Sequence, residues 1–466
     1  MEGRGLSSCQ MSKEVRAEQG IDMLLPTPPE KVEKLQTALH TKAKAEPDFR
    51  FYALYDKMYR LDVLTYAYER CLANGGAAGV DGQTFEDIGE YGAATWIREL
   101  AQELRTRTYK PQAVRRVWIP KADGKQRPLG IPTIRDRVAQ MAALLILEPI
   151  FEADLQPEQH AYRSGHSALE AVRTVTAYLN RGATEVVDAD LSGYFDTIPH
   201  AELMQSVSRR IVDRHVLHVI KGWLEAAVEE TDERGRKVRT TRNKDEGRGT
   251  PQGGVLSPLL ANLYMRRFIL AWKEHGHETR LEARIVNYAD DFVILAHDKA
   301  KADEAMEAMR RLMGKLRLTV NEKKTRRCAL PEETFTFLGY TFGRCYSPRT
   351  GRAYISPRPS ARKISAMTEK VSELTRSRTT NRETSEVVGG LNSALRGWAN
   401  YFCQGPVRKI YTALLEHARW RLRRWLERKH RTRRGGYHTY PNDYLHAKLG
   451  LIQLANFRSR PLWAKV

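Results

Sequence analysis

The hydrophobic pattern predicts a β-hairpin around residue 290. Apolar side chains dominate residues 284–287 and residues 292–296, and each run has the length of a single strand. Between the two runs lie Tyr288, Ala289, Asp290 and Asp291. The hairpin therefore carries two adjacent acids at its tip, and burying such a pair is costly unless a cation binds there.

Helical spacing of apolar residues predicts helices over residues 61–72, 94–104, 302–316 and 410–425. The last of these places apolar residues on one face and arginines on the opposite face, which makes it a basic amphipathic helix. Such a helix can bind nucleic acid or a membrane surface, and no other feature of the sequence points to lipid.

Turn-forming and polar residues mark the connections. The glycine-rich residues 74–82 predict a loop. Residues 114–119 and 127–131 predict a second hairpin around the polar turn 122–124. The charged residues 229–248 predict a mobile hairpin or loop, and the polar residues 360–379 predict a linker between two domains.

Composition bounds the class of protein. The chain has 466 residues, of which 41% are hydrophobic, so it can form two to four packed units. Its net charge of +21 indicates a polyanionic partner such as nucleic acid. The alternative is a basic protein whose charges are simply solvated.

Cysteine and histidine usage points to no structural metal or disulfide framework. The five cysteines are scattered, which fits a reducing compartment. The histidines show no metal-ligand spacing, and His215 and His218 form an isolated pair. No apolar run is long enough to span a bilayer. Residues 1–30 are expected to be largely disordered, and Met11 is an alternative start to Met1.

A third acid completes a candidate metal site. Asp190 follows the strand-like residues 184–187, and three carboxylates at the ends of neighbouring strands can hold two divalent metals for in-line phosphoryl transfer. Strand alternation puts Asp188 on the face of Asp190, so a peripheral role for it stays open. Asp196 is expected to brace the turn. The alternative is that all of these are ordinary turn acids.

These acids belong to a longer, ordered set of motifs. Tyr288-Ala289-Asp290-Asp291, with Asp190 upstream, resembles the palm of a reverse transcriptase. Further segments that resemble motifs of this family, in the family's order, are residues 121–132, 162–168, 249–258, 321–325 and 337–340. Residues 395–402 resemble the maturase domain of group II intron-encoded proteins. The chain is similar to the group II intron-encoded reverse transcriptases from Tyr55 to Leu454.

The resemblance implies an α/β fold, a right-handed fingers-palm-thumb polymerase with an antiparallel-sheet palm and an α-helical thumb, the maturase domain. The expected divisions are a partly disordered N-terminal segment (1–45), an N-terminal extension with fingers (46–175), a palm with finger insertions (176–355), a thumb (356–434) and a short basic tail (435–466).

The implied function is RNA-directed DNA polymerisation together with maturase activity on a group II intron RNA, assisting splicing and retrohoming. Asp190, Asp290 and Asp291 are implied to hold two Mg²⁺ ions. The implied partners are intron RNA, an RNA template with a DNA primer, dNTPs and a DNA target, with no membrane and a cytoplasmic location.

The resemblance also implies residues that bind the incoming nucleotide. Lys121 and Arg127 would grip the triphosphate, Gln252 would approach the templating pair, and Lys324 would brace the carboxylates or the triphosphate. Phe195 would be the steric gate that excludes a 2′-hydroxyl. The alternatives are solvated finger charges and a plain core phenylalanine.

Template and intron contacts are expected elsewhere. Tyr162 and Arg163 would stack on and bind the template, and Arg419, Arg423 and Lys429 would contact nucleic-acid backbone from the thumb. For each thumb side chain the alternative is a solvated helix face.

Two other functions stay open. A splicing chaperone with little polymerase role would be expected to lose catalytic acids, and this chain keeps all three. A domesticated reverse transcriptase in phage defence would be expected to alter its maturase domain. Residues 435–466 hold no paired cysteines, so the form without an appended endonuclease is expected.

Overall fold

The computed structural model describes residues 26–120, 126–232, 234–432 and 436–454. Its N-terminal region is helical, because apolar residues recur there at helical spacing and bury one face of each helix. The helices are α1 (Glu30–Ala45), α2 (Tyr55–Met58), α3 (Leu61–Asn74), α4 (Phe85–Tyr91) and α5 (Ala93–Thr106). The helices predicted over residues 61–72 and 94–104 are confirmed as α3 and α5.

The predicted hairpin over residues 114–131 is also confirmed. Strands β1 (Val114–Pro120) and β2 (Gln126–Ile131) pair antiparallel. Its turn, with Lys121, lies outside the described residues. Helix α6 (Ile134–Glu152) follows and is buried along most of its length against α1 and α3. It anchors the N-terminal helices to the rest of the molecule.

The middle of the chain alternates helices with short strands. Its elements are α7 (Ala168–Asn180), β3 (Glu185–Asp190), α8 (Tyr194–Thr197), α9 (His200–Ser208), α10 (Arg214–Leu224), β4 (Val228–Thr231), β5 (Lys237–Thr240), α11 (Arg242–Asp245), α12 (Ser257–Glu274) and α13 (His277–Arg280). Strand β4 pairs antiparallel with β5 and parallel with β1. The charged segment 229–248 thus includes a hairpin that extends an outer sheet of order β2-β1-β4-β5.

A second sheet, the central sheet, has the order β6-β7-β3-β8 and is antiparallel throughout. It adds β6 (Arg284–Tyr288), β7 (Asp291–Ala296), α14 (Lys299–Lys315) and β8 (Arg326–Ala329). The predicted hairpin around residue 290 is β6 and β7. Helix α14 is the helix predicted over residues 302–316, and it packs against β3, β7 and β8.

A third sheet precedes the C-terminal helices. It has the order β11-β10-β9 and consists of β9 (Phe335–Phe337), β10 (Tyr340–Tyr346) and β11 (Ala353–Pro359). Strand β11 pairs with β10 along its whole length. The domain boundary expected between residues 355 and 356 therefore falls inside a strand.

The remaining residues form a C-terminal bundle with its own hydrophobic core. Its elements are α15 (Ala361–Leu374), a 3₁₀ turn (Ser377–Thr379), α16 (Thr384–Tyr401), α17 (Arg408–His430), α18 (Gly436–Thr439) and a π-helical turn (Tyr444–Lys448). The prediction of a linker over residues 360–379 is wrong. Met367 and Val371 of α15 are buried in the bundle core. They lie four residues apart, a helical spacing that the surrounding polar residues obscured.

The amphipathic helix predicted over residues 410–425 is confirmed as α17. Leu414, Ala418, Leu422 and Trp425 are buried in the bundle core. Among the described residues, Cys71, Cys328, Cys345 and Cys403 form no disulfide bond. No described helix combines the length and apolar character needed to cross a bilayer.

Candidate active site

The central sheet brings the predicted acids together. Antiparallel pairing of β3 with β7 sets Asp190 directly opposite Asp291. Tyr288 pairs with Asp291 at the end of β6, so Ala289 and Asp290 form a two-residue turn. The three acids are half-buried at one end of the sheet. Asp190, Asp290 and Asp291 thus lie at one site although a hundred residues of chain separate the first from the others.

Ala289 adopts a left-handed conformation, with φ of 58°, in this turn. Two-residue hairpins favour positive φ because it matches the strand twist, but a non-glycine residue there carries strain of order 1 kcal/mol. The buried side chain of Asn287 stabilises the turn, since its Nδ2 donates to the carbonyl oxygen of Ala289 at 2.9 Å. The direction of Asp290 is therefore set by a local network.

Side chains from the loop before β8 hold Asp190. Lys324 Nζ lies 3.2 Å from each carboxylate oxygen, and Asn321 Nδ2 donates to one of them at 2.9 Å. The backbone N–H of Asp190 donates to Thr325 Oγ1 at 3.3 Å. Lys324 was expected to brace the carboxylates or the triphosphate, and it contacts the Asp190 carboxylate; its role in nucleotide binding stays a prediction. Asn321 belongs to the motif at residues 321–325, but the sequence alone did not identify it as a site residue.

The acids repel one another. Burial, followed by the charges of Asp188, Asp290 and Asp190, raises the pKa of Asp291 well above its ordinary value. Burial raises the pKa of Asp188 to about 6, and Asp190 adds to this while Arg326 opposes it. Asp188 is thus a fourth acid on the same face, as strand alternation allowed.

This donor set fits divalent cations. Carboxylate oxygens are the ligands that hard divalent ions prefer, and a cation among them would offset the mutual repulsion that raises the pKa of Asp291. Asp190, Asp290 and Asp291 are the residues positioned to hold such ions, with Asp188 further along the same strand face.

A polar chain connects the outer sheet to this region. Arg127 Nε donates to Gln252 Oε1 at 3.2 Å, and Gln252 Nε2 donates to Asp196 Oδ2 at 2.9 Å. The three side chains come from β2, the loop before α12 and the helix after β3. Two residues expected to bind nucleotide, Arg127 and Gln252, are therefore neighbours, and Asp196 braces Gln252.

The outer sheet docks on this loop through backbone. The N–H of Gly130 donates to the carbonyl oxygen of Gln252 at 2.6 Å. Gly253 has φ of +111°, and a Cβ there would lie 2.3 Å from the carbonyl oxygen of Gly130. Only glycine fits this approach. The contact fixes Arg127 relative to the acids.

Phe195 lies in α8, directly after the acidic end of β3. Its ring packs edge-on against Tyr194, with 5.8 Å between ring centroids, and only 7% of the residue is exposed. This position near Asp190 is compatible with a gate and with core packing, so its role as a gate stays a prediction.

Arg163 does not face solvent as the template-binding prediction requires. Its Nε and Nη2 donate to the carboxylate of Glu152 at 3.0 and 2.6 Å. Its Nη1 donates to the carbonyl oxygens of Gln156 and Gln159, and 7% of the side chain is exposed. Arg163 is an internal brace. Tyr162 is half-buried with φ of 55°, and its ring packs against the core.

The basic residues predicted on α17 are also engaged within the protein. Arg419 Nε donates to His446 Nε2 at 2.9 Å, Arg423 Nε donates to the carbonyl oxygen of Tyr440 at 2.8 Å, and Lys429 Nζ donates to that of Arg382 at 2.8 Å. The assumption that this face is open is wrong, because residues 436–454 cover part of it. Helical periodicity could not reveal a covering segment.

The exposed basic residues of α17 lie elsewhere. Trp420 is 48% exposed, and the Arg424 guanidinium lies 5.2 Å from its ring centroid. Arg428, one turn further along, is also exposed. Together, Trp420, Arg424 and Arg428 form what we call the aromatic-basic strip.

Comparison with known proteins identifies the class. The mixed α/β fold with acids at the end of an antiparallel sheet fits a polymerase, and residues 119–342 match the family model "Reverse transcriptase (RNA-dependent DNA polymerase)". Residues 364–440 match "Group II intron, maturase-specific domain". The two matches follow one another in the order expected from the sequence motifs.

Several curated proteins are similar to the chain. Protein YkfC of Escherichia coli is 33% identical over 346 residues, which cover 66% of this chain and 87% of that protein. Group II intron-encoded protein LtrA of Lactococcus lactis subsp. cremoris is 34% identical over 229 residues, 48% of this chain and 36% of that protein. Putative COX1/OXI3 intron 1 protein of Saccharomyces cerevisiae is 26% identical over 332 residues, covering 61% and 38% respectively.

The chain is thus an RNA-directed DNA polymerase. It belongs to the reverse transcriptases of the group II intron type, with a reverse transcriptase domain followed by a maturase domain. Membership in this family implies dependence on a divalent metal. It also implies intron RNA and other nucleic acid as substrates.

Proposed function

We propose that the chain copies RNA into DNA by two-metal phosphoryl transfer, with Asp190, Asp290 and Asp291 holding two Mg²⁺ ions. The observation that carries the proposal is the register that pairs Asp190 with Asp291 beside the turn that holds Asp290. An all-oxygen site suits Mg²⁺. Bound Mg²⁺ would lower the pKa of the primer 3′-hydroxyl and neutralise the triphosphate and departing pyrophosphate.

The protein's own residues set the geometry of this site. Lys324 and Asn321 fix the Asp190 carboxylate, and Asn287 fixes the turn that carries Asp290. Preorganised ligands do not have to be reoriented during each turnover, which lowers the barrier. We assign the central sheet to the palm, the outer sheet to the fingers and the C-terminal bundle to the thumb.

The incoming nucleotide would lie between the outer and central sheets. Arg127, together with Lys121, would contact its triphosphate, because a guanidinium can bind phosphate with two parallel hydrogen bonds. Gln252 is held between Arg127 and Asp196, which places its backbone at the docking site of β2. Phe195 would close the space beneath the sugar.

Nucleic acid would contact the thumb through the aromatic-basic strip. An exposed tryptophan beside arginines offers a stacking surface for a base or ribose and cations for phosphate. Arg419, Arg423 and Lys429 would support this surface by holding residues 436–454 and the 3₁₀ turn against α17. Near Tyr162, the template would contact the protein backbone or the Tyr162 ring rather than the Arg163 side chain.

The same thumb would bind the group II intron RNA and assist its splicing. Retrohoming would then use the polymerase site to extend a DNA primer at a DNA target with the intron RNA as template. A splicing chaperone without polymerisation does not need the paired acids or the Lys324 contact with Asp190. These features support the polymerase.

The decisive test is Asp290→Asn. Primer extension on an RNA template should fall to background in the presence of Mg²⁺, while the affinity for RNA stays unchanged because the carboxylate binds metal rather than RNA. Asp48→Asn, at an exposed position, is the matched control and should extend normally. Near-normal extension by Asp290→Asn would overturn the metal assignment.

A further inference from the structure

A second cluster of metal-ligand side chains lies outside the acidic site. His160 is in the segment between α6 and α7, His166 precedes α7, and Glu170 is in the first turn of that helix. His166 and Glu170 are four residues apart. Ser167 begins the helix, since its Oγ accepts a hydrogen bond from the Glu170 N–H at 3.2 Å, and this brings the two side chains onto one side.

Some of the distances between the ligand atoms of these three residues are slightly longer than those in an occupied metal site. His166 Nδ1 lies 3.0 Å and His160 Nδ1 lies 3.8 Å from Glu170 Oε2. One ligand atom from each of the three residues falls within 4.8 Å of the others. Metal bonds of about 2.0–2.1 Å separate tetrahedral ligands by roughly 3.3 Å, so small side-chain shifts would complete the site.

The two ring nitrogens of His160 lack hydrogen-bond partners in the described part of the chain. His160 is 4% exposed, and within the described residues neither its Nδ1 nor its Nε2 has a hydrogen-bond partner. The Nδ1 of His166 is also buried and forms no well-directed hydrogen bond to a described residue, although Glu170 Oε2 lies 3.0 Å away. Buried polar atoms are rarely left unpaired, because each costs about 1–3 kcal/mol. Two of these atoms, the Nδ1 of His160 and the Nδ1 of His166, lie beside the Glu170 carboxylate, and this arrangement indicates a ligand.

The chemistry of the donors selects the ligand. Two imidazoles and one carboxylate suit a borderline divalent cation such as zinc, whereas Mg²⁺ prefers oxygen ligands. The nearby Arg163 is already bound to Glu152, so its charge is compensated. Glu170 is 40% and His166 26% exposed at the side chain, which gives an ion access.

We propose that His160, His166 and Glu170 form a structural binding site for a zinc-class transition-metal ion. This site is separate from the Mg²⁺ site and does not depend on it. The backbone N–H of His160 donates to the carbonyl oxygen of Asn287 at 3.0 Å, and the side chain of Asn287 holds the turn next to Asp290. A metal at His160 would therefore stiffen the support behind the catalytic turn.

Cobalt substitution tests the proposal with a readout other than activity. Purified protein is stripped with chelator, returned to excess Mg²⁺ to occupy the carboxylates, and titrated with Co²⁺ while visible absorption is recorded. Low-coordinate Co²⁺ with nitrogen ligands absorbs far more strongly than octahedral Co²⁺ with oxygen ligands. We expect the strong spectrum to saturate at one ion per chain and to disappear on adding Zn²⁺.

Variants locate the site. His166→Gln and Glu170→Gln change partly exposed side chains without large loss of volume, and each should weaken Co²⁺ binding at least tenfold. His218→Ala, an exposed histidine of α10, is the matched control and should bind as the unmodified protein does. A missing spectrum, or a spectrum unchanged in both glutamine variants, would overturn the proposal and leave water as the partner of these histidines.

Zinc should also raise the melting temperature of the unmodified protein and of Asp290→Asn equally, because the cluster is independent of the catalytic acids. The two glutamine variants should lose this shift. A zinc effect that vanishes in Asp290→Asn but persists in His166→Gln would place the ion at the carboxylates and reject the histidine site.

Discussion

Lys324 places its ammonium nitrogen 3.2 Å from both carboxylate oxygens of Asp190. The lysine side chain is 64% exposed, so the pair is screened and contributes little to folding. Its position matters more than its energy, since Asp190 would otherwise rotate among several orientations. Lys324, in the loop before β8, thus sets the direction of a proposed metal ligand.

Lys324→Met should slow nucleotide incorporation without abolishing it. An exposed ion pair is worth up to about 1 kcal/mol, which corresponds to roughly a fivefold loss of rate. Single-turnover primer extension measures this directly. Lys323→Met, at the exposed neighbouring position, is the control and should extend at the normal rate. Equal rates in both variants would show that Lys324 does not orient Asp190.

Asp291→Asn should stabilise the protein in the absence of divalent ions. Burial and the neighbouring acids raise the pKa of Asp291, so removing its charge relieves repulsion. Thermal unfolding with chelator should show a higher melting temperature for the variant. Added Mg²⁺ should stabilise the unmodified protein and have little effect on the variant. A lower melting temperature of the variant in chelator would contradict the repulsion.

Phe195→Ala should increase incorporation of ribonucleotides relative to deoxyribonucleotides. The ring is close in sequence to Asp190 and packs beside Tyr194, so its removal would open space near the sugar. The variant will also be less stable, by about 3–5 kcal/mol if the ring is fully packed. The ratio of the two incorporation efficiencies is insensitive to that loss. An unchanged ratio would assign the ring to core packing.

The two sets of basic residues on α17 should behave differently. Arg424→Gln combined with Arg428→Gln should reduce the slope of log affinity for RNA against log salt by about 0.7–0.9 for each lost phosphate contact. Arg419→Gln combined with Arg423→Gln should lower the melting temperature and leave the slope nearly unchanged, because both side chains bind residues 436–454. The reverse pattern would return the RNA contact to the residues predicted from the sequence.

The order of apolar and acidic residues along the chain predicted well the strands that carry the candidate active-site acids. Alternation and acid placement gave the hairpin of β6 and β7, and the order of motifs paired it with Asp190 at the end of β3. The hairpin depends on local rules of strand geometry, whereas the pairing with Asp190, a hundred residues away, came from the resemblance to the reverse transcriptase motifs. The nucleotide-binding roles of all five expected residues stay predictions: Lys121, Arg127, Phe195, Gln252 and Lys324.

Long-range partners could not be predicted. The environment of Arg163 depends on Glu152 in α6, and that of Arg419 depends on His446, 27 residues later in the chain. An arginine has the same sequence signature whether it binds phosphate or a carboxylate. The expectation that histidines do not cluster is wrong for a different reason. His160 and Glu170 are only ten positions apart, and the irregular segment between α6 and α7 brings His160 to His166 and Glu170.

The C-terminal bundle completes its core with the last residues that the structure describes. Leu445, Leu451 and Leu454 are buried with Leu422 and Trp425 of α17. During synthesis, N-terminal domains fold first as the chain emerges. The palm strands can therefore assemble while the bundle still lacks the leucines that close it. Until residue 454 has left the ribosome, the nascent protein would combine a folded central sheet with an exposed apolar face of α17. A chaperone that binds exposed apolar surface would find the largest such surface during this interval.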